Sequence, residues 1–169
     1  MKPTARKPFL IAGIAAGLAA AVPFVAFGIV PLFVRSTLNE APPVAIAPSA
    51  SPVASTSASP ALVLTGRLRR IDVVHYGSGQ VTISGPAGAR FLRFENVDIA
   101  GAPNMYVYLS DATDGRPGRY TNLGPLRATN GSFNYPVPAS IALDNVRSVV
   151  IWCRAFSVTV TYAPLDTRS

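Results

Sequence analysis

Val149-Val150-Ile151-Trp152-Cys153-Arg154-Ala155-Phe156-Ser157-Val158-Thr159-Val160-Thr161-Tyr162 is the stretch in which the strand character of this chain is clearest. Its first half, up to Cys153, is an apolar run. In its second half, apolar or aromatic residues alternate with hydroxyl-bearing ones, so every second side chain would lie on the same face of a sheet. Cys153 and Arg154 stand between the two runs and are therefore expected to occupy or border a hairpin turn.

Shorter β-branched and aromatic runs recur upstream, separated by glycine, proline, asparagine and aspartate about every ten residues. No segment from residue 62 onward has convincing helical periodicity over ten residues or more. The pattern predicts an all-β domain over residues 62–169, an antiparallel β-sandwich or barrel of about 7–9 strands. The strands that can be placed are Leu64–Val74, Gln80–Ser84, Arg90–Val97, Met105–Ser110, Phe133–Pro136, Val149–Trp152 and Phe156–Tyr162.

The N-terminal region has the features of a membrane anchor. No ionisable side chain occurs from Phe9 to Val34. As one helix of about 26 residues this stretch would span roughly 39 Å, more than the ~30 Å hydrocarbon core of a bilayer. The basic residues in segment 1–8 favour a cytoplasmic N-terminus, with the C-terminal domain outside. We therefore expect one N-terminal transmembrane helix, a signal-anchor at 9–34 that contacts the lipid bilayer through Phe9–Val34 and makes a single pass of the cell membrane.

A cleaved signal peptide is the alternative interpretation of this region. The apolar core of such a peptide normally has about 7–15 residues, and this one is far longer. The small-x-small triplet Ala45-Ile46-Ala47 lies well past the apolar run and precedes Pro48. The length therefore favours an uncleaved anchor. Gly13 and Gly17 match a helix-pairing pattern, so a homodimer through the helix is a further hypothesis.

Residues 35–61 change abruptly to a composition rich in proline, alanine and serine, in which Glu40 is the only charge from Ser36 to Ala61. Such a composition builds no core and sustains no helix, so we predict a disordered linker. Fully extended it would reach about 80 Å, which suits a spacer that lifts a domain off the membrane.

The positive charge of the β domain comes from arginine. From Arg67 to Arg168 there are eleven arginines against seven acidic residues. The densest cluster, Arg67, Arg69 and Arg70, is able to contact an anionic lipid head group or an acidic partner, or to form a solvated sheet face. Outside the cytoplasm, and without a recognition motif, we expect no nucleic-acid partner.

The inventory of reactive groups excludes most catalytic and metal sites. His75 is the only histidine and Cys153 the only cysteine. A blue-copper site needs two histidines with a cysteine, and a structural zinc site normally needs four nitrogen or sulfur ligands. A catalytic zinc site has about three protein ligands that usually include more than one histidine, so we expect no metal centre. A serine or cysteine hydrolase would have only His75 as its base, and no nucleophile motif is present. The run Asp111–Gly115 lacks the EF-hand spacing and is expected to be a turn.

Three interpretations of Cys153 remain open. A lone thiol in an oxidising compartment is either a redox group, a cofactor ligand, or a small buried residue. The Arg154 guanidinium beside the sulfur would favour the reactive thiolate, and Trp152 would pack on a planar cofactor or fill the core. Haem is a candidate cofactor because histidine and thiolate both ligate its iron, and the chain has one of each in His75 and Cys153.

Several blocks of the domain resemble one family. They are His75-Tyr76-Gly77-Ser78-Gly79-Gln80-Val81-Thr82-Ile83, Phe91-Leu92-Arg93-Phe94-Glu95-Asn96-Val97, Ala102-Pro103-Asn104-Met105-Tyr106-Val107-Tyr108-Leu109-Ser110, Asn122-Leu123-Gly124-Pro125-Leu126-Arg127 and Val149-Val150-Ile151-Trp152-Cys153-Arg154-Ala155-Phe156. In order and spacing they resemble the DM-thirteen electron-transfer domain, which in animals accompanies DOMON domains. Ala102 and Asn104 stand where that family usually has glycine and aspartate.

The resemblance covers about Leu64–Leu165. It implies a β-rich extracytoplasmic module whose near-invariant cysteine, matched here by Cys153, is proposed for redox work as a bare thiol or a cofactor ligand. The leading hypothesis is thus a membrane-anchored electron-transfer accessory domain, rather than an enzyme, with Cys153 as the redox residue and Trp152, Arg154 and His75 in support. It would act with a redox partner protein. The alternatives are a non-catalytic cell-surface binding or structural module with Cys153 in its core, and a homodimer linked through Cys153.

Overall fold

The computed structural model describes residues 35–43, 63–86 and 88–168, and these residues form two β-sheets. Along the chain, a 3₁₀ helix at Leu143–Asn145 lies between the seventh and the eighth strand. The strands are β1 (Thr37–Asn39), β2 (Val63–Arg67), β3 (Gly77–Ser84), β4 (Arg90–Ile99), β5 (Met105–Ser110), β6 (Tyr120–Pro125), β7 (Asn130–Val137), β8 (Ser148–Cys153), β9 (Val158–Pro164) and β10 (Asp166–Arg168).

The first sheet has the order β1-β7-β4-β3-β2-β10 and the second has the order β6-β5-β8-β9. Neighbouring strands are antiparallel except β1 and β7, which run parallel. Both sheets are open, so the all-β prediction is confirmed and the barrel alternative does not describe this part of the chain. Nine of the ten strands that the described residues form, β2 to β10, lie within the predicted domain 62–169, in agreement with the expected 7–9, and β1 precedes that domain.

One hydrophobic core joins the inner faces of the two sheets, as expected where alternating strands pack face to face. Phe94 of β4 and Phe133 of β7 stack with their ring centroids 4.9 Å apart. The ring of Tyr135 meets Phe94 edge-on at 5.8 Å. From the second sheet, Val107 and Ile151 enter the same core with no exposed surface. The inward residues of both sheets thus exclude water from a common interior.

The strand predicted at Leu64–Val74 is wrong beyond Arg67, where β2 ends. A turn follows, in which the Asp72 carboxylate accepts hydrogen bonds from the backbone N–H groups of Val74 and His75. Aspartate commonly caps its own turn in this way, and the β-branched residues of the segment do not reveal it.

Residues Gly77–Gly79 are the start of β3, although a glycine-rich triplet of this kind is typical of a turn. Gly77 is buried, and a Cβ atom there would clash with Thr161 of β9. At Gly79 the backbone φ angle is 100° and the pairing with β4 shifts register. The two glycines therefore allow close packing and a β-bulge, which are also common roles of glycine in strands.

The linker predicted at 35–61 is wrong at its N-terminal end, where residues Thr37–Asn39 form β1 and pair with β7. Glu40 explains much of this docking: its carboxylate binds Arg127 at 2.6 and 3.0 Å and accepts the Asn134 backbone N–H at 2.9 Å. These hydrogen bonds lower the pKa of Glu40. The bond from the Asn134 backbone N–H makes the largest contribution, followed by the bond from Arg127. Composition indicates only that a segment lacks its own core. It does not indicate which hydrogen bonds an existing sheet edge offers.

The predicted anchor 1–34 and the rest of the predicted linker, residues 44–61, lie outside the described residues. Among the residues described, no helix is long and apolar enough to cross a membrane.

A single tyrosine connects the two sheets near Arg127. The Tyr135 hydroxyl on β7 accepts the Arg127 backbone N–H at 2.8 Å and donates to the Pro125 carbonyl, at the end of β6, at 2.9 Å. Burial raises the pKa of Tyr135 from 10.0 to about 12. The folded state therefore holds this tyrosine neutral in a pH range where the unfolded chain ionises it.

Tyr135→Phe should lower the free energy of unfolding by about 1–3 kcal/mol at neutral pH, because two backbone groups lose their partner. Part of the unfolding free energy that Tyr135 contributes to the wild type depends on its proton. This part is complete below pH ~10 and is lost as pH rises towards ~12. For two pKa units the loss is up to about 2.7 kcal/mol. Urea unfolding of both proteins at neutral pH and at several pH values above 10 measures the difference. A difference that does not change with pH would contradict this assignment.

Candidate functional site

Strand β8 divides its side chains between two environments. Val149, Ile151 and Cys153 lie in the core between the sheets. Val150 and Trp152 alternate with them and therefore point to the outer face of the second sheet. Cys153 is opposite Met105 of β5, and Trp152 is opposite Tyr106.

The Cys153 thiol is completely buried, with no exposed surface. Its Sγ donates a hydrogen bond to the Pro103 carbonyl oxygen at 3.1 Å. As predicted, Cys153 borders a hairpin: it is the last residue of β8, and a turn over residues 154–157 leads into β9. Thiol–disulfide exchange requires a second sulfur to approach the first, so a thiol in this position cannot exchange while the strand end stays closed.

The Arg154 guanidinium lies on the outer face and not beside the sulfur. Its Cζ is 3.6 Å from the centroid of the Tyr106 ring, and its Nε donates to the Tyr108 hydroxyl at 2.8 Å. The bond to Tyr108 raises the pKa of Arg154 above its usual value. The expected activation of Cys153 by Arg154 therefore has no support in this geometry, because the cation and the thiol are on different sides of the sheet.

Trp152 and His75 line the same cavity, which has a volume of about 580 Å³. Its walls come from the loop after β2, the loop after β5 and the beginning of β9, with Arg70, Ile71, Arg116 and Tyr162 among the lining residues. A volume of this size is typical of small-molecule sites. Cys153 is not among the lining residues.

The imidazole of His75 is held by its neighbour in the loop. Its Nδ1 is 2.8 Å from the Asp72 Oδ2, and the same carboxylate accepts the His75 backbone N–H. The pKa of Asp72 is therefore held below its usual range. The hydrogen bond with the imidazole makes the largest contribution, and the bond from the His75 backbone N–H follows. With Nδ1 engaged, Nε2 is the ring nitrogen left for a ligand or a proton, as in carboxylate–histidine pairs generally.

A row of aromatic side chains on the outer face was missed by the sequence analysis. Tyr106 and Tyr108 project from β5, and the ring of Tyr120 stacks on that of Tyr108 with centroids 4.1 Å apart. Tyr120 also lines a second cavity of about 650 Å³, between Asp111 and Ile141 among others, which includes none of the predicted site residues. The alternation Tyr106-Val107-Tyr108 in the sequence is the signal that could have revealed this aromatic face.

The structure thus places Trp152 and His75 at one cavity, puts Trp152 and Arg154 on the outer face of the second sheet, and holds Cys153 in the core on the inner face. In the ranges that the structure describes, no group of three or more histidine, cysteine, aspartate or glutamate side chains is arranged to hold a metal ion.

Comparison with known protein families shows to which family this chain belongs. The family described as electron transfer DM13 matches residues 71–165, which include all four predicted site residues. The chain therefore belongs to the DM13 electron-transfer family, and the resemblance seen in the sequence is confirmed. No curated protein matches the chain. A mutant of Candida albicans superoxide dismutase 5 is similar in structure, with a TM-score of 0.46 and 10% identity over 66% of this chain and 100% of that one.

The burial of Cys153 has a direct kinetic consequence. We expect a soluble disulfide reagent to label Cys153 roughly a thousandfold more slowly in the folded protein than in urea, which corresponds to an opening free energy of about 4 kcal/mol. The control is Val73→Cys in a Cys153→Ser background, because Val73 is 82% exposed. Fast labelling of both thiols in the folded protein would show that the strand end opens readily.

Proposed function

We propose that this chain is a redox accessory protein, anchored in a membrane, whose β domain takes part in electron transfer outside the cytoplasm. Membership of the DM13 electron-transfer family carries this proposal. The apolar stretch Phe9–Val34 and the basic residues before it support the anchor and its orientation. The domain is proposed to work with a redox partner protein rather than as an enzyme by itself.

The burial of Cys153 limits the kind of redox role that this residue is able to fill. Disulfide exchange, and a homodimer linked through Cys153, both need the sulfur to be exposed. Transfer of single electrons needs proximity but no atomic contact, so a buried group is not excluded from it. Cys153, which lies within the residues that the family matches, is therefore proposed as the redox group of a one-electron role: its S–H bond breaks, the electron passes to the redox partner protein and the proton to solvent, and the return of both reduces the thiyl radical to the thiol.

A haem ligated by Cys153 does not fit these residues. Neither described cavity is lined by Cys153, and the thiol is committed to the Pro103 carbonyl. His75 lines one cavity and Cys153 lines neither of the two, so neither cavity presents both residues to one iron. We therefore derive no step through haem.

A binding module is the second candidate function, and one observation favours it. Cys153 occupies a core position with no exposed surface, which is the common place of an inert free cysteine. The cavity with Trp152 and His75 would then be the functional feature, with Cys153 as packing.

Voltammetry of the full chain in lipid films separates these two functions. We expect a reversible signal in the wild type that is lost in Cys153→Ser, since serine keeps a donor for the Pro103 carbonyl and so preserves the local structure. Tyr120→Phe is the control on the outer face, where Tyr120 is 49% exposed, and it should keep the signal. No signal in any variant would reject the redox proposal and leave the binding module.

The anchor is tested separately by membrane extraction. The full chain should stay with the membrane pellet after alkaline carbonate washing, whereas a variant that lacks residues 9–34 should be released. Protease added to intact cells should remove the C-terminal domain if the orientation is correct. Release of the full chain by carbonate would rule out a membrane-spanning segment.

A further inference from the structure

Four exposed apolar side chains lie at one end of the β domain. Val73, Val74 and Ile71 are 82%, 64% and 47% exposed on the loop between β2 and β3, and Phe156 is 57% exposed on the turn between β8 and β9. The loop and the turn are neighbours, because Ile71 and His75 line the same cavity as Ser157 and Val158. We call the loop 69–76 and the turn 154–157 the apolar end.

Arginines surround these apolar side chains. Arg69, Arg70 and Arg154 each lie over a tyrosine ring, at 5.9, 4.9 and 3.6 Å from the centroids of Tyr162, Tyr76 and Tyr106. Within the described part of the chain, none of the three is paired with a carboxylate. The one carboxylate in the loop, Asp72, is committed to its turn and to His75. The apolar end is therefore positively charged as well as hydrophobic.

The chain enters the β domain at this same end. Arg35 binds the Tyr76 hydroxyl at 2.7 Å and the Asp98 carboxylate at 2.8 Å, and Tyr76 is the last residue of the apolar loop. In sequence, Arg35 directly follows the apolar stretch that ends at Val34. The described part of the chain thus begins next to the apolar end, one residue after the stretch proposed as the anchor in sequence.

In sequence, the proline-rich segment does not lie between the apolar stretch and the first strand of the domain. Residues 44–62 come after β1, and β1 already belongs to the first sheet. Residues 44–61 of the predicted spacer therefore stand in sequence between β1 and β2, two strands of one sheet.

We propose that the apolar end docks on the surface of a bilayer that contains anionic lipid. Val73, Val74 and Phe156 would enter the boundary between head groups and acyl chains, and Arg69, Arg70 and Arg154 would contact anionic head groups. Apolar residues flanked by basic ones are the general requirement for binding at this interface. The proposal rests on the membrane anchor proposed above and adds which surface of the domain faces the lipid.

The test uses the full chain in vesicles that contain phosphatidylglycerol and phosphatidylcholine. An environment-sensitive dye is attached at Val74→Cys in a Cys153→Ser background. The control carries the same dye at Ser140→Cys, which follows β7 at the end of the sheet opposite to Asn130 and Tyr76. Native emission of Trp152, the only tryptophan, verifies that each variant is folded.

The dye at position 74 should emit at shorter wavelength and be quenched severalfold more strongly by acyl-chain spin-labelled lipid than the dye at position 140. Arg69→Gln with Arg70→Gln, or vesicles of phosphatidylcholine alone, should reduce that quenching by at least half. Equal quenching at both positions, in a chain that floats with the vesicles, would overturn the docking proposal while leaving the anchor intact. A chain that fails to float would overturn the anchor and the docking together. Shielding of position 74 in native membranes but not in protein-free vesicles would assign the apolar end to a protein partner and would also overturn the proposal.

Discussion

The two-residue repeat of strand β8 is the constraint on which the chemistry of this domain depends. Because successive side chains in a strand point to opposite faces, Cys153 and Trp152 cannot share an environment. The core accepts the thiol together with Val149 and Ile151, whereas the indole meets the cavity that also contains His75. Two groups adjacent in sequence are thus separated by a sheet, and any function that needs both must act through the sheet.

The same constraint organises the outer face of the second sheet. Tyr106 and Tyr108 are two residues apart on β5, so they lie on one face beside Trp152, their neighbour on β8. Arg154 leaves the turn on this face and binds both tyrosines. Arginine suits such a place because its planar, weakly hydrated guanidinium stacks on rings and still donates hydrogen bonds. The cation therefore stabilises the aromatic surface instead of the thiolate.

The sequence predicted the all-β class and most strands because their inward residues alternate clearly, as in β5 and β8. It missed β6, where Tyr120–Pro125 is a half-exposed edge strand with few apolar residues. It also missed β1, whose pairing depends on partners far away in sequence, such as Glu40 with Arg127. Local sequence patterns indicate which residues of a strand are buried. They do not indicate the hydrogen bonds that the edge of a strand distant in sequence supplies.

The candidate site shows the same limit in a different form. Residue types alone identified His75, Trp152, Arg154 and Cys153 as the groups able to do chemistry, and all four lie within the matched family region. Their grouping could not be predicted, because it depends on where the turn after β8 places each side chain and on the Asp72 turn that positions His75.

Asp72 was not a candidate, since an aspartate between apolar residues looks like an ordinary loop residue. It is nevertheless the residue that fixes the only histidine, and it does so while also bonding the turn that presents Val74 to solvent. One carboxylate thus links the shape of the apolar end to the orientation of the imidazole at the cavity, so a change in the conformation of this loop would also move His75.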